Sequence, residues 1–354
     1  MAGGLFELRR DDITGWWVAT VVDREFERAR FARPARRLAT PDDECQNCRS
    51  APSERAWLRV LKPQAFTVAG GRPIRPGREP GSAADGEAEG LGLGLLGDVG
   101  SWETIAAPQG HHAPLGDEAE AIVIEMLAIG RERIARARAQ GGTQYLQIVQ
   151  NWGEQAGAMT NHLCFDVYDL PQIPHRIGEE LGGAARYVIR EGVCPWCRLV
   201  EDEVAHRDRL VFDDAASVCF APYASRSPFE LWVVPRHHEA DFGKATDEQL
   251  TSAAETLQKL IRMLGTLGGP AYNLVLHTAP LHENVGQTYH WHWEIHPRLR
   301  EVGGLELGTG LPVNPISPEE AVDELLASTR AESGESAPHD EPDSGRSWDD
   351  FPRR

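Results

Sequence analysis

Polar and apolar residues alternate along residues 162–168, HLCFDVY, and again along 290–296, HWHWEIH. A period of two belongs to an extended chain with one buried face, so each stretch predicts a β-strand. One face of the first strand carries His162, Cys164, Asp166 and Tyr168, and one face of the second carries His290, His292, Glu294 and His296. A helical period governs 117–140 and 247–267, and both runs open on acids, which the helix dipole favours. Each helix leads into a β-rich run, TQYLQIVQNWG at 143–153 and AYNLVLHTAP at 271–280. Each is preceded by a further strand-like phrase, WETIAAPQGH at 102–111 and FELWVVPRHH at 229–238, which reads aromatic, Glu, four mostly apolar residues, Pro, two residues, His.

The elements therefore recur in one order, the mark of an internal repeat. The interval from His111 to His162 differs by a single residue from that between His238 and His290. Ahead of the first His the halves part, and the surplus of the first half falls in 70–99, a Gly- and Pro-rich stretch expected to be a flexible insertion. Residues 331–354 hold seven acids against three arginines and almost no apolar content, and are expected to form a disordered acidic tail.

A chain of 354 residues exceeds the usual size of one core, in keeping with two units. The net charge of −18 argues against nucleic acid or an anionic membrane as the main partner, while a small anion held by local arginines remains compatible. No apolar run approaches the length of a membrane span and residues 1–10 lack a signal-peptide core, so the cytoplasm is the expected compartment. In a reducing compartment six cysteines point to metal binding or buried thiols rather than disulfides.

Four of the six form C-x-x-C pairs, Cys45 with Cys48 and Cys194 with Cys197. Joining each pair to the His that ends its strand-like phrase and to the first His of its alternating strand gives two Cys2His2 sets: Cys45, Cys48, His111, His162, and Cys194, Cys197, His238, His290. His112 and His237 are adjacent alternatives, and His111 and His238 keep the register of the repeat. Two thiolates and two imidazoles suit a closed tetrahedral zinc site, so two Zn2+ per chain are expected, with iron open at the second site.

The stretch NWGEQAGAMTNHLCFDVYDLPQIP (151–174), together with GVCPWC, SRSPFELWVVPRHH, YNLVLHTAP, YHWHWEIHPRL and GGLELGTGLPVNPISPEEA, resembles the galactose-1-phosphate uridylyltransferase family over roughly residues 6–330. The resemblance implies an α+β fold of two tandem histidine-triad-like domains, 1–176 and 177–330, each an antiparallel sheet packed against a helix, paired into a homodimer. It implies a nucleotidyltransferase of galactose metabolism acting on nucleotide sugars and sugar phosphates. In that family the second His of a His-Pro-His motif attacks the α-phosphorus and a Gln two residues on assists. Those positions here are Cys164 and Asp166. Cys164 could act as a replacement nucleophile, lie inert, or join the metal, and His292 keeps the imidazole at the matching place of the second half. Arg24, Arg28, Asn151 and Glu306 match or lie near the family's substrate-contacting positions. The alternative reading is a catalytically silent, zinc-containing protein that binds a nucleotide or sugar phosphate on the same scaffold. Trp16, Trp17, Trp152 and Trp232 are read as core.

Overall fold

The computed structural model describes residues 6–21, 34–36, 38, 45, 47–48, 56–61, 101–111, 114–140 and 143–333. Arg24, Arg28, His112, the 70–99 segment and residues 334–354 lie outside the described residues. The chain is α+β. The strands are β1 (Phe6–Arg10), β2 (Trp17–Val21), β3 (Trp57–Leu61), β4 (Ser101–His111), β5 (Tyr145–Trp152), β6 (His162–Leu170), β7 (Leu210–Asp213), β8 (Ser217–Phe220), β9 (Leu231–Pro235), β10 (Tyr272–His277), β11 (His292–Pro297) and β12 (Val313–Asn314). The helices are α1 (Glu120–Gln140), α2 (His175–Glu191), α3 (Pro195–His206), α4 (Asp247–Gly265), α5 (Gly304–Thr309) and α6 (Pro318–Ser333), the last of which carries on past residue 330.

Among the described residues nine strands form one sheet in the order β3-β4-β6-β5-β10-β11-β9-β8-β7. Its pairings are antiparallel throughout, including β5 with β10, which joins the two halves at Tyr272↔Trp152 and Asn273↔Asn151. The repeats thus share one continuous sheet. A second sheet, β1-β2-β12, holds the N-terminal hairpin against the chain after α5.

Alternation assigns the two faces. Leu163, Phe165 and Val167 of β6, Leu274 and Leu276 of β10, and Trp293 and Ile295 of β11 enter one core with the buried sides of α1 and α4. Helix α4 starts on a capping box, Thr246 with Gln249, and turns Leu250, Leu257, Leu260 and Leu264 inward. The opposite faces of the same strands carry His162, Cys164, Asp166, Asn273, His277, His292 and Glu294, and there α2 and α3 build a smaller core around Trp196, Phe220, Trp232 and Tyr289. Helix α2 passes so close to the 11–14 turn that a Cβ on Gly183 would stand 1.7 Å from the Ile13 carbonyl oxygen. Trp232 is buried as expected, but Trp17 is half exposed at the start of a strand in the small sheet. Among the described residues no helix is long and apolar enough to cross a membrane.

Candidate functional site

The second C-x-x-C caps a helix. Cys194 is the N-cap of α3 with Pro195 at its first turn, which places Cys197 where backbone N–H groups favour a thiolate. One donor atom each from Cys194, Cys197, His238 and His290 lies within 4.8 Å of every other. Cys197 Sγ is 3.3 Å from His238 Nδ1 and 3.7 Å from His290 Nδ1. The other nitrogen of His238, Nε2, donates to the Gly286 carbonyl at 2.8 Å, which turns Nδ1 toward the sulfur. Burial holds His290 below the ordinary imidazole range, so it is neutral, as a ligand must be. A hydrogen bond from Cys194, with the two imidazoles behind it, pulls the Cys197 thiol down to about 4, and the same bond pushes Cys194 up. The donor set fits a tetrahedral dication, which would supply the charge that lets both sulfurs ionise.

In the first half, donor atoms of Cys45, Cys48 and His162 lie within 4.8 Å of one another. Cys48 Sγ is 3.4 Å from His162 Nδ1, and His162 Nε2 donates to the Ala107 carbonyl at 2.7 Å. His111 is the register partner of His162 across β4 and β6, beyond a break in the ladder after Ala106. Its side chain lies outside the described residues.

Cys164 stands two residues along β6 from His162, 9% exposed. Burial, then the neighbouring Asp166 and Cys45, push its thiol well above the ordinary range. Asp166 accepts hydrogen bonds from Trp102 Nε1 at 3.1 Å, Thr104 Oγ1 at 3.3 Å and Asn151 Nδ2 at 3.4 Å. Burial still raises its carboxyl above the usual range. Tyr168 completes the strand face, stacked on Trp102.

His292 has no exposed surface and packs among the rings of Trp196, Trp232 and His277, with centroids 5.6, 5.1 and 4.8 Å away. Its Nδ1 donates to the His290 carbonyl at 3.0 Å, and its Nε2 stands 3.8 Å from Glu294 Oε1. Glu294 in turn takes two 2.7 Å bonds from Arg176, one of 2.8 Å from Arg226 and one of 2.9 Å from His296. His277 bridges Glu294 at 3.3 Å and Glu180 at 3.1 Å, and Arg226 also holds Glu230 at 2.7 Å. Burial opposes every one of these charges, but the partners outweigh it. Glu180 is held down to about 2 by His277 and Arg176, while His277 is raised to about 9 by Glu180 and Glu294. Glu294 and Glu230 are likewise held below the usual range. Burial lowers His296, which stays neutral. Three carboxylates therefore face three cations, Arg176, Arg226 and His277, and the buried cluster is balanced.

Beside this cluster a cavity of about 520 Å³ opens over the seam between β5 and β10. Asn151, Asn273, Arg226, Arg298, Arg300 and Glu306 are among its walls. Glu306 pairs with Arg300 at 2.7 Å and accepts from the Gly303 N–H at 3.0 Å, capping α5. Of the residues singled out in the sequence, Asn151 and Glu306 thus meet at one cavity. Cys164, Asp166 and His292 do not line it, although Asn151 links Asp166 to its wall. The sequence reading missed Arg176, Glu180, Arg226, Glu230, His277, Asn273 and Arg298. A buried carboxylate two or three residues from a His is a signal in itself for Glu294, but nothing local marks its partners, which arrive from α2, β10 and the loop before β9.

No protein-family model matches the chain. It is 27% identical over 330 residues to the ADP-glucose phosphorylase of Arabidopsis thaliana, spanning 89% of this chain and 90% of that one. It is 26% identical over 191 residues to the galactose-1-phosphate uridylyltransferase of Thermotoga maritima, spanning 51% of this chain and 59% of that one. A solved uridylyltransferase superposes with a TM-score of 0.71 at 25% identity, over 92% of this chain and 98% of that one. The crystal structure of the Arabidopsis thaliana ADP-glucose phosphorylase with bound ADP-glucose gives 0.69 at 24% identity, over 91% and 98%. The α+β fold is that of these uridylyltransferase-like proteins.

Proposed function

We propose that this homologue of ADP-glucose phosphorylase and of galactose-1-phosphate uridylyltransferases binds a nucleotide sugar or sugar phosphate, and that the covalent nucleotidyl route is closed at residue 164. The state of Cys164 carries this reading. Attack on phosphorus needs a sulfur that the ligand can reach, and Cys164 is buried on the sheet and does not line the cavity. His162, the neighbouring imidazole, is committed to Cys48 and the Ala107 carbonyl and offers no base. An acid at 166 accepts hydrogen bonds where a phosphoryl oxygen needs a donor. His292 cannot substitute, because it lies in a closed aromatic cage outside the cavity wall.

In this proposal Cys194, Cys197, His238 and His290 hold one zinc and Cys45, Cys48, His162 and His111 a second. With four protein ligands each, the ions supply folding energy and brace the two halves of the sheet, while Asn151, Glu306 and the cavity arginines surround the ligand. A cytoplasmic homodimer completes the picture.

A second reading keeps nucleotidyl transfer with Cys164 as nucleophile. It is favoured by the similarity of 89% of the chain to a relative named as a phosphorylase. One experiment separates the two. The metal-loaded protein is incubated with α-32P-labelled UDP-glucose or ADP-glucose, and both bound and covalent label are measured. Saturable binding without covalent label is the expected result. Covalent label that disappears in Cys164→Ala would establish the second reading, and an absence of saturable binding would overturn both.

A further inference from the structure

Four arginines line the cavity: Arg176, Arg226, Arg298 and Arg300. Three are spoken for. Arg176 is paired with Glu294 at 2.7 Å, Arg226 with Glu230 at 2.7 Å and Glu294 at 2.8 Å, and Arg300 with Glu306 at 2.7 Å. Among the described residues Arg298 has no carboxylate partner; its one side-chain bond runs from Nε to Asn273 Oδ1. That bond uses the inner edge of the guanidinium and leaves the two terminal amino groups, the fork that matches a phosphoryl group, for the cavity.

The residue is also held from behind. Asn273 Nδ2 donates to Asn151 Oδ1 at 2.6 Å and to the Ala156 carbonyl at 2.8 Å, and Asn151 Nδ2 donates to Asp166 Oδ2 at 3.4 Å. Every link points one way, from the cation to the carboxylate. Both amides are fixed in orientation, because a donor abuts each amide oxygen and an acceptor each amide nitrogen. The chain crosses the seam of the sheet from β11's end through β10 and β5 to β6, so it exists only because Asn273 and Asn151 are register partners. A guanidinium fixed in direction loses little freedom on binding an anion.

We propose that Arg298, oriented by Asn273 and Asn151, is the residue that takes the phosphoryl oxygens of the cavity's ligand. The assignment rests on the proposed ligand class. The chain from Arg298 also gives Asp166 a place in the structure, as the carboxylate on which the donors converge.

Calorimetric titration of the full-length, metal-loaded protein with UDP, ADP and inorganic pyrophosphate tests it, using wild type, Arg298→Gln and Arg298→Lys. Arg298→Gln should weaken the diphosphate probes on the order of ten- to a hundredfold, the loss of a charge-assisted bidentate contact, at unchanged metal content and melting temperature. Arg298→Lys keeps the charge without the fork, and should lose several-fold. If the Gln variant fails to fold, Lys decides: wild-type affinity in Arg298→Lys overturns the assignment. Nucleotide binding equal in wild type and Arg298→Gln overturns Arg298 and leaves the ligand class standing. Pyrophosphate binding lost in Arg298→Gln, with no nucleotide bound by wild type, keeps Arg298 and overturns the nucleotide. Wild type that binds none of the probes overturns both.

Discussion

Glu294→Gln removes one charge from the balanced cluster while keeping its shape. Glu294 has no exposed side-chain surface, and it accepts from Arg176 through both oxygens, from Arg226 and from His296, with His277 at 3.3 Å. A glutamine has one acceptor oxygen, so its amide NH2 would confront the Arg176 guanidinium donor to donor. Two carboxylates would then face three cations in a buried site. Stranding a buried charge costs about 3–5 kcal/mol. One feature pulls the figure down. The Arg176 side chain is 32% exposed against 16% for Arg226, so Arg176 can swing partly into water. The net expectation is a loss of about 3 kcal/mol. With a urea slope of about 3 kcal/mol per molar, the midpoint falls by roughly 1 M. Tryptophan fluorescence reports it directly, since Trp196 and Trp232 pack on His292. A midpoint within about 0.2 M of wild type would refute the reasoning, because it would mean that the three cations do not depend on Glu294.

His277 adds a pH dependence. Its pKa rises from the ordinary 6.5 to about 9 on folding, so its contribution is complete below 6.5 and is lost as the pH climbs through 9. At 1.36 kcal/mol per pH unit the effect is on the order of 3 kcal/mol, and His277→Gln should flatten the urea midpoint between pH 6.5 and 9; an unchanged slope would sink the assignment. Gly183→Ala should lower the melting temperature by several degrees, since crowding the Ile13 carbonyl costs about 1–3 kcal/mol and outweighs the ~1 kcal/mol that alanine gains in a helix; an unchanged or raised melting temperature would count against that close approach. Metal analysis should find two equivalents of zinc per chain, and chelation should unfold the protein, each site contributing on the order of 10 kcal/mol. Cys197→Ser should lose one equivalent while Cys219→Ala, a change in the helix-packed core away from both sets, keeps two; equal metal content in both variants would refute the ligand assignment.

The one-dimensional pattern determined a good deal. The period of two at 162–168 assigned Cys164 and Asp166 to one face and Leu163, Phe165 and Val167 to the other, because alternation follows from local backbone geometry. The same pattern put His290 on a strand whose ladder begins two residues later, at His292, since strand ends are decided by neighbours rather than by alternation. The matching order of the two halves, with His-to-His intervals one residue apart, named Cys194, Cys197, His238 and His290, which the structure brings within 4.8 Å.

Tertiary structure alone decided which charge meets which. Arg176 and Glu294, or Asn151 and Asn273, lie more than a hundred residues apart, and become neighbours only through the packing of α2 and the pairing of β5 with β10. A sequence records the period of each strand but not the order of strands in a sheet. The state of Cys164 has the same origin. Its residue type and its strand neighbour Asp166 were legible, but whether that sulfur is a nucleophile depends first on its burial, a property of surroundings assembled from distant parts of the chain.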